Sequence, residues 1–146
     1  MFLITLVAVG AAVAAWLRPI PHNTASTPPA PSYSEQQVAD AKAKVCAAYG
    51  KVLNATTVNA ARNGGDDPNT QLLIATTQRQ VFAVGSSYLL TTLAEEPATP
   101  ADLAAAANTL AHLYREITLD GLVGDRNDPA HDAANETGYK IQGICK

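Results

Sequence analysis

The feature that most constrains this chain is the order of three unlike segments. An uncharged apolar run covers residues 2–17, a proline-rich stretch follows, and a charged region carries the only two cysteines, Cys46 and Cys145. This order is typical of a domain exported across a membrane. We therefore expect a transmembrane anchor or signal segment at 1–18, a linker at 19–34 and an extracytoplasmic domain at 35–146.

The length of the apolar run does not decide between an uncleaved anchor and a cleaved signal. It is shorter than the roughly 20 residues that cross a hydrocarbon core comfortably and long for the apolar part of a signal peptide. Ala12-Val13-Ala14 offers a small-x-small cleavage pattern. An uncleaved, single-pass anchor in the cell membrane is the first expectation. A cleaved signal, which would give a secreted protein, and a buried core helix are the alternatives.

The linker is defined by its prolines, which block regular helix and favour extended polyproline geometry. These are Pro19, Pro21, Pro28, Pro29 and Pro31. Such a segment is typical of a spacer that holds a domain away from a membrane.

Composition favours an all-α domain without nucleic-acid binding. Alanine makes up about a fifth of the chain and aromatic residues only 5%, a balance that suits closely packed helices better than sheets. From Ser34 onward nine Lys and Arg residues face thirteen Asp and Glu residues, a net charge of -4. This acidic balance disfavours nucleic acid as a partner.

The first two helices have recognisable starts. Ser34 to Gln37 matches a capping box and predicts a helix over 35–62, with an inward stripe of Val38, Ala41, Val45, Ala48, Val52, Ala55 and Asn59. Asp67-Pro68 predicts the start of a second helix that runs to Glu96. Its expected stripe is Ile74, Val81, Val84 and Tyr88, with Phe82, Leu89 and Leu93 beside it.

Two further helices complete the expected domain. Thr99-Pro100 predicts a cap followed by the third helix, which Gly121 and Gly124 are expected to stop, with a stripe of Leu103, Ala106, Leu110, Leu113 and Ile117. Asp128-Pro129 predicts the start of the fourth, with a thinner stripe of Ala130, Ala134, Thr137, Ile141 and Ile144. Short connections between such helices favour an antiparallel three- to four-helix bundle.

The cysteine pair fits this layout. In an antiparallel bundle, the level of Cys46 on the first helix and that of Cys145 on the last allow their sulfurs to meet. An exported chain with two cysteines most simply forms one disulfide. A redox-active pair would need closer spacing in the sequence.

Other polar motifs have structural interpretations. His112 and Glu116 share a helix face but offer only two ligands to a metal. Asp125, Asn127 and Glu136 match parts of a calcium loop, yet Pro129 and Ala130 stand where that loop needs a ligand and a glycine. We therefore predict no catalytic, cofactor-binding or metal-binding residue. Gly64-Gly65-Asp66-Asp67 is expected to form a turn, and the sequons at Asn54 and Asn135 fall in predicted helices.

The middle of the second helix is unusually polar. Ser86, Ser87, Tyr88 and Thr91 surround Gly85. Small residues let helices approach closely, and this is the favoured interpretation. The wall of a small pocket is the alternative.

A resemblance agrees with the membrane placement. The run Ala41 to Tyr49, the segment Glu96 to Leu103 and the ending Gly143-Ile144-Cys145-Lys146, with the apolar N-terminus and the spacer, resemble a group of alanine-rich, single-pass membrane proteins of actinobacteria. The resemblance implies a membrane-anchored or secreted helical protein. It implies no catalytic residue.

Three functions follow as hypotheses. The first is a non-enzymatic, membrane-tethered accessory or scaffold subunit of a cell-envelope complex, anchored by residues 2–17 and bound to an envelope protein. The second is a binding module for a lipid or other apolar ligand, with a cavity lined by Ile74, Phe82, Leu110 and Ile117. The third, an enzyme, would need His112 or His131 in a concave site beside acidic groups.

Overall fold

Four α-helices account for the described part of the chain. The computed structural model describes residues 32–146, so the expected anchor or signal segment at 1–18 and most of the expected linker lie outside the described residues. In chain order the helices are α1 at Glu35–Ala60, α2 at Pro68–Glu95, α3 at Ala101–Leu122 and α4 at Asp128–Cys145. The all-α prediction is confirmed for residues 32–146.

The first two helices begin where their caps predict. The Ser34 hydroxyl accepts a hydrogen bond from the Gln37 amide at 3.2 Å, and the Gln37 side chain accepts one from the Ser34 amide at 2.9 Å. Asp67 accepts from the amides of Asn69 and Thr70. These bonds satisfy amides that have no partner inside the helix, and so they fix the starting residue.

The last two helices differ in detail from their predicted ends. Pro100 occupies the cap position of α3, and the Thr99 hydroxyl instead donates to the Glu96 carbonyl at 2.7 Å. Gly121 does not stop α3, which continues through Leu122. The following turn uses Gly124, whose φ of 83° lies in the left-handed region that glycine tolerates.

Asn127 caps α4, one residue before the predicted Asp128. It has a left-handed φ of 43°, and its side chain accepts from the Ala130 amide. Asparagine tolerates this conformation better than most residues because its short polar side chain bonds locally. A cap of this kind therefore both starts α4 and turns the chain.

Neighbouring helices run antiparallel, as predicted. On α1, Lys51 lies opposite Tyr88 and Asn59 lies opposite Gln78, so the residue numbers fall on α2 as they rise on α1. A hydrogen bond from Arg115 to Ser86 joins α3 to α2, and one from Gln142 to Tyr49 joins α4 to α1. Each helix therefore packs against the next, and α4 returns to α1.

The core follows the expected stripes of α1 and α3 closely. Buried positions on α1 include Ala41, Val45, Ala48, Val52 and Asn59, and those on α3 include Leu103, Ala106, Leu110 and Ile117. Ala55 is expected in the buried stripe, but it is exposed. None of the helices in residues 32–146 is both long and apolar enough to cross a membrane.

The stripe predicted for α2 is right for Phe82 and Leu89, which are buried, and wrong for Val84 and Tyr88. Its buried residues are Phe82, Gly85, Ser86 and Leu89, while Val84 is 68% exposed and Tyr88 is also exposed. The helix carries apolar residues on two faces, and the small residues make the closer approach. A Cβ atom on Gly85 would lie only 2.7 Å from a methyl group of Val52. Tight contact with α1 therefore selects the Gly85 face.

Candidate functional site

One end of the bundle is closed by contacts between α1 and α4. We call the end that holds Cys46 and Cys145 the closed end; their Cα atoms lie 5.7 Å apart and the two residues form the predicted disulfide. Nearby, the Tyr49 hydroxyl donates to the Gly138 carbonyl at 2.9 Å and accepts from the Gln142 side chain at 3.2 Å. Gly138 allows this approach, since a Cβ there would lie 3.1 Å from the Tyr49 oxygen.

Beyond Tyr49 the helices line a cavity of about 870 Å³ that is partly open to solvent. It extends toward the opposite end of the bundle, which we call the open end. All four helices contribute to its walls. Its apolar floor is formed by Leu53, Ile74, Phe82, Tyr114, Ile117 and Ala134. A concave, mostly apolar space of this size is the usual form of a small-molecule binding site.

Stacked aromatic rings form the deepest part of the floor. The rings of Phe82 and Tyr114 lie 4.7 Å apart between centroids with an interplanar angle of 28°, and His131 meets Phe82 edge-on at 6.0 Å. Phe82 and Tyr114 are both buried. Offset and edge-on contacts are favourable for aromatic rings, so the floor is held in place by its own packing.

The Tyr114 hydroxyl lies in poorly solvated surroundings. Burial, with a smaller contribution from Tyr49, raises the pKa of Tyr114 to about 12, although a hydrogen bond with Thr56 opposes the rise. Burial raises the pKa of a phenol because it disfavours the charged form. The cavity floor therefore has low polarity even where it carries a hydroxyl group.

Asn59 brings an unsatisfied polar atom to the cavity wall. Its side-chain nitrogen donates to the Ile74 carbonyl at 3.3 Å and to the Gln78 side-chain oxygen at 2.6 Å. The side-chain oxygen is buried and has no hydrogen-bond partner. Buried polar atoms without partners are rare and costly, so this one requires an explanation.

The cavity contains three of the four residues predicted to line an apolar site. Ile74, Phe82 and Ile117 line it, whereas Leu110 is fully buried in the core and does not. The prediction for Leu110 is therefore wrong: it lies about two turns before Ile117 on α3, where the core is filled. His131 also lines the cavity, whereas His112 is exposed on α3.

The residues considered as metal ligands serve other structural roles. Glu116 accepts from the Asn127 side chain at 3.1 Å, which also donates to Asp120. Asp125 accepts from the Asn127 amide at 3.1 Å. These bonds order the turn between α3 and α4. Within residues 32–146, no three His, Cys, Asp or Glu side chains lie close enough together to hold a metal ion.

Exposed aliphatic side chains gather at the open end. The last turns of α1 and α3 and the first turns of α2 meet there because neighbouring helices are antiparallel. They expose Val58, Leu72, Leu73, Leu119, Leu122 and Val123. These exposed aliphatic side chains therefore lie at the same end of the bundle as the mouth of the cavity.

The polar middle of α2 packs closely, as favoured from the sequence, and also borders a second hollow. Ser86 is buried and accepts from the Arg115 side chain at 2.9 Å. On the outer side, α1 and α2 form a groove of about 500 Å³ that includes Val81, Val84 and Tyr88. We call it the outer groove. The second apolar face of α2 lines this groove.

Sequence reasoning missed most of the polar lining of the cavity. Gln78 and Gln142, which the sequence did not single out, line it from two helices that are distant in the sequence; His131, named only for a possible enzyme site, lines it as well. Asn59 is the one polar lining residue that the sequence pattern could have indicated, because a polar residue at the end of an apolar stripe must find partners in the interior. The turn at Gly64-Gly65 and the helical location of the sequons at Asn54 and Asn135 are as predicted.

Known proteins offer no guide to this site. Comparison of the chain with protein-family models, with curated proteins and with solved structures finds no match.

Proposed function

We propose that the chain is a non-enzymatic binding module of the cell envelope that holds an apolar small molecule in the cavity at the open end. The single observation that carries this proposal is the cavity of about 870 Å³ with its aromatic and aliphatic floor. Sites for drug-sized ligands enclose about 300 to 1,000 Å³. The apolar N-terminal run and the proline-rich spacer support tethering of this module to a membrane, with the helical domain on the extracytoplasmic side.

A cavity-filling substitution tests the proposal. Ala75 lines the cavity from an exposed position on α2, and a tryptophan there would fill its mouth without entering the core. Ala83 is the matched control, because it is exposed two turns later on the same helix and lies outside both the cavity and the outer groove. The full chain, kept soluble in amphipol, would be titrated with phenylnaphthylamine, an uncharged apolar dye.

The expected result is saturable dye binding by the unmodified chain and by Ala83→Trp. Binding by Ala75→Trp should be at least about fivefold weaker, because the indole ring occupies the ligand's volume. Absence of saturable binding by the unmodified chain would refute the proposal. Equal binding by the two tryptophan variants would place the dye elsewhere and would also refute it.

The outer groove supports a second candidate function, an accessory or scaffold subunit of an envelope complex. Val81, Val84 and Tyr88 form a shallow apolar surface, and the Lys51 ammonium lies at its rim, 5.6 Å from the centre of the Tyr88 ring. Lys51 forms no ion pair within residues 32–146. This pattern suits an amphipathic helix of an envelope protein that places an apolar face in the groove and a carboxylate beside Lys51.

Charge substitutions on α2 test this second candidate. Val84→Asp would place a carboxylate in the groove, whereas Ala83→Asp places one on the neighbouring exposed surface. The full chain would be purified from solubilised envelope with its bound proteins, and its N-terminus would be measured by mass spectrometry. The candidate requires a stoichiometric partner that is lost with Val84→Asp and retained with Ala83→Asp. A solitary chain, or a partner insensitive to both changes, would contradict it.

A further inference from the structure

The walls of the cavity are almost free of charge. Within the described residues, no Asp or Glu side chain lines it, and Arg62 is its one permanent cation. Arg62 is exposed at the solvent side rather than buried in the floor. A charged group carried deep into the cavity would lose its hydration without gaining a counter-ion, and such burial is costly.

Asn59 specifies what polar group the cavity needs. Its nitrogen is committed to two acceptors, on Ile74 and Gln78, and this fixes which end of the amide is oxygen. The oxygen then lacks a donor although Asn59 is only 3% exposed. A ligand hydroxyl or amide would supply that donor, whereas a carboxylate would bring another acceptor. The oxygen itself is buried in this structure, so hydrogen bonding to a ligand requires a neighbouring side chain to move.

The rest of the wall suits an apolar body. Phe82, Tyr114 and Ile117 provide a broad surface without charge, and the raised pKa of Tyr114 agrees with poor solvation there. Carboxamide groups of Gln78 and Gln142 add donors and acceptors to the cavity lining. These features together describe a ligand with a large apolar part and a small, uncharged polar part.

We propose that the ligand is an uncharged amphiphile whose polar head donates a hydrogen bond to the Asn59 side-chain oxygen. This inference rests on the proposed function, because it names the class of molecule that the same cavity takes. It excludes fatty acids and cationic amphiphiles as preferred ligands. A hydroxyl-bearing lipid head group is the simplest group of the right kind.

Matched probes with one chain length test the inference. Monolaurin, laurate and dodecyltrimethylammonium share a twelve-carbon chain and carry an uncharged diol, an anion and a cation, respectively. The assay measures how well each probe displaces phenylnaphthylamine from the full chain in amphipol. Monolaurin is expected to act at a concentration at least about tenfold lower than either ion. Its dimethyl ether, which has lost both donors, is expected to be about five- to tenfold weaker than monolaurin.

A variant identifies the acceptor. Asn59→Leu should reduce the difference between monolaurin and its ether to less than about twofold. Laurate or dodecyltrimethylammonium acting as well as monolaurin would overturn the inference, as would an ether as potent as the diol. Loss of dye binding by the unmodified chain would instead refute the proposed function. The ranking of probes on the unmodified chain decides the outcome even if Asn59→Leu does not fold.

Discussion

The two ends of the bundle differ in how α1 and α4 meet. At the closed end the two helices are joined by the Cys46–Cys145 disulfide and by the Tyr49 hydroxyl, and fully buried leucines such as Leu103 fill the interior. At the open end the helices line a cavity, and Asn59 has an unpartnered oxygen. The comparison shows that one end is tightly joined and packed while the other retains a cavity. Proteins commonly accept such unfavourable features where they function.

Breaking the disulfide should cause the largest loss in the free energy of unfolding. Reduction, or replacement of Cys46 and Cys145 by serine, releases a loop that spans 99 positions. The loop-entropy estimate for such a length is about 4 to 5 kcal/mol, and measured losses are often smaller. Urea unfolding of the full chain, followed by helical circular dichroism with and without reductant, measures the loss. The serine variant is the control, because reductant should leave it unchanged; a loss below about 1 kcal/mol would contradict the importance of the closed end.

Truncating one aliphatic side chain at each end sharpens the comparison. Leu103 is fully buried near the closed end, whereas Ile74 is half-buried and lines the cavity. Leu103→Ala should cost about 3 kcal/mol of unfolding free energy because it leaves a void in packed surroundings. Ile74→Ala should cost about 1 kcal/mol because the removed atoms already face open space. Equal losses in urea unfolding would show that the ends do not differ in packing.

Alkaline pH tests the polarity of the cavity floor. The folded-state pKa of Tyr114, about 12, lies above its ordinary value of 10.0. Its contribution to stability is therefore complete below about pH 10 and is lost as pH rises toward 12, by about 2 to 3 kcal/mol in total. Tyr114→Phe should reduce the slope of stability against pH in that range. Tyr139→Phe, at an exposed position, should not; identical slopes for the two variants would contradict burial of the Tyr114 hydroxyl.

The smallest expected effect on stability comes from the helix cap at the start of α2, at the open end. Hydrogen bonds from the Thr70 hydroxyl, and then from the amides of Thr70 and Asn69, lower the pKa of Asp67. A lowered pKa means that this contribution is present above the ordinary value of 3.8 and is lost as pH falls through the folded-state value. Asp67→Ala should weaken the acid dependence of the urea midpoint slightly. Asp66→Ala, at the exposed neighbouring position, is the control. A larger effect of Asp66→Ala than of Asp67→Ala would contradict the role of Asp67 as the helix cap.

Local chemistry explains why much of the fold could be predicted. Ser34 and Asp67 satisfy helix-end amides within a few residues of themselves, so the sequence contains all the partners needed to place the starts of α1 and α2. The stripe of α3 is unambiguous because its outward positions are mostly polar or alanine. The disulfide followed from the order of the helices and the number of cysteines.

The cavity could not be predicted in full because it is lined by residues from all four helices. No local pattern encodes how those helices pack together. For α2, Val84 and Phe82 are equally suitable core residues by type, and only the close contact of Gly85 with Val52 decides which face is buried. The polar atoms around Asn59 belong to residues 15 and 19 positions away, so their meeting is a property of the packed bundle.

The disulfide also gives the domain the topology of a closed ring. All three connections between helices, at 61–67, 96–100 and 123–127, lie between Cys46 and Cys145, and so does every residue that lines the cavity. A protease that cut any one of these connections would open the ring without releasing a fragment. The cut molecule would keep its four helices covalently joined, with an unchanged mass apart from one added water, until the disulfide was reduced. This is a form of damage tolerance that helix packing alone does not provide.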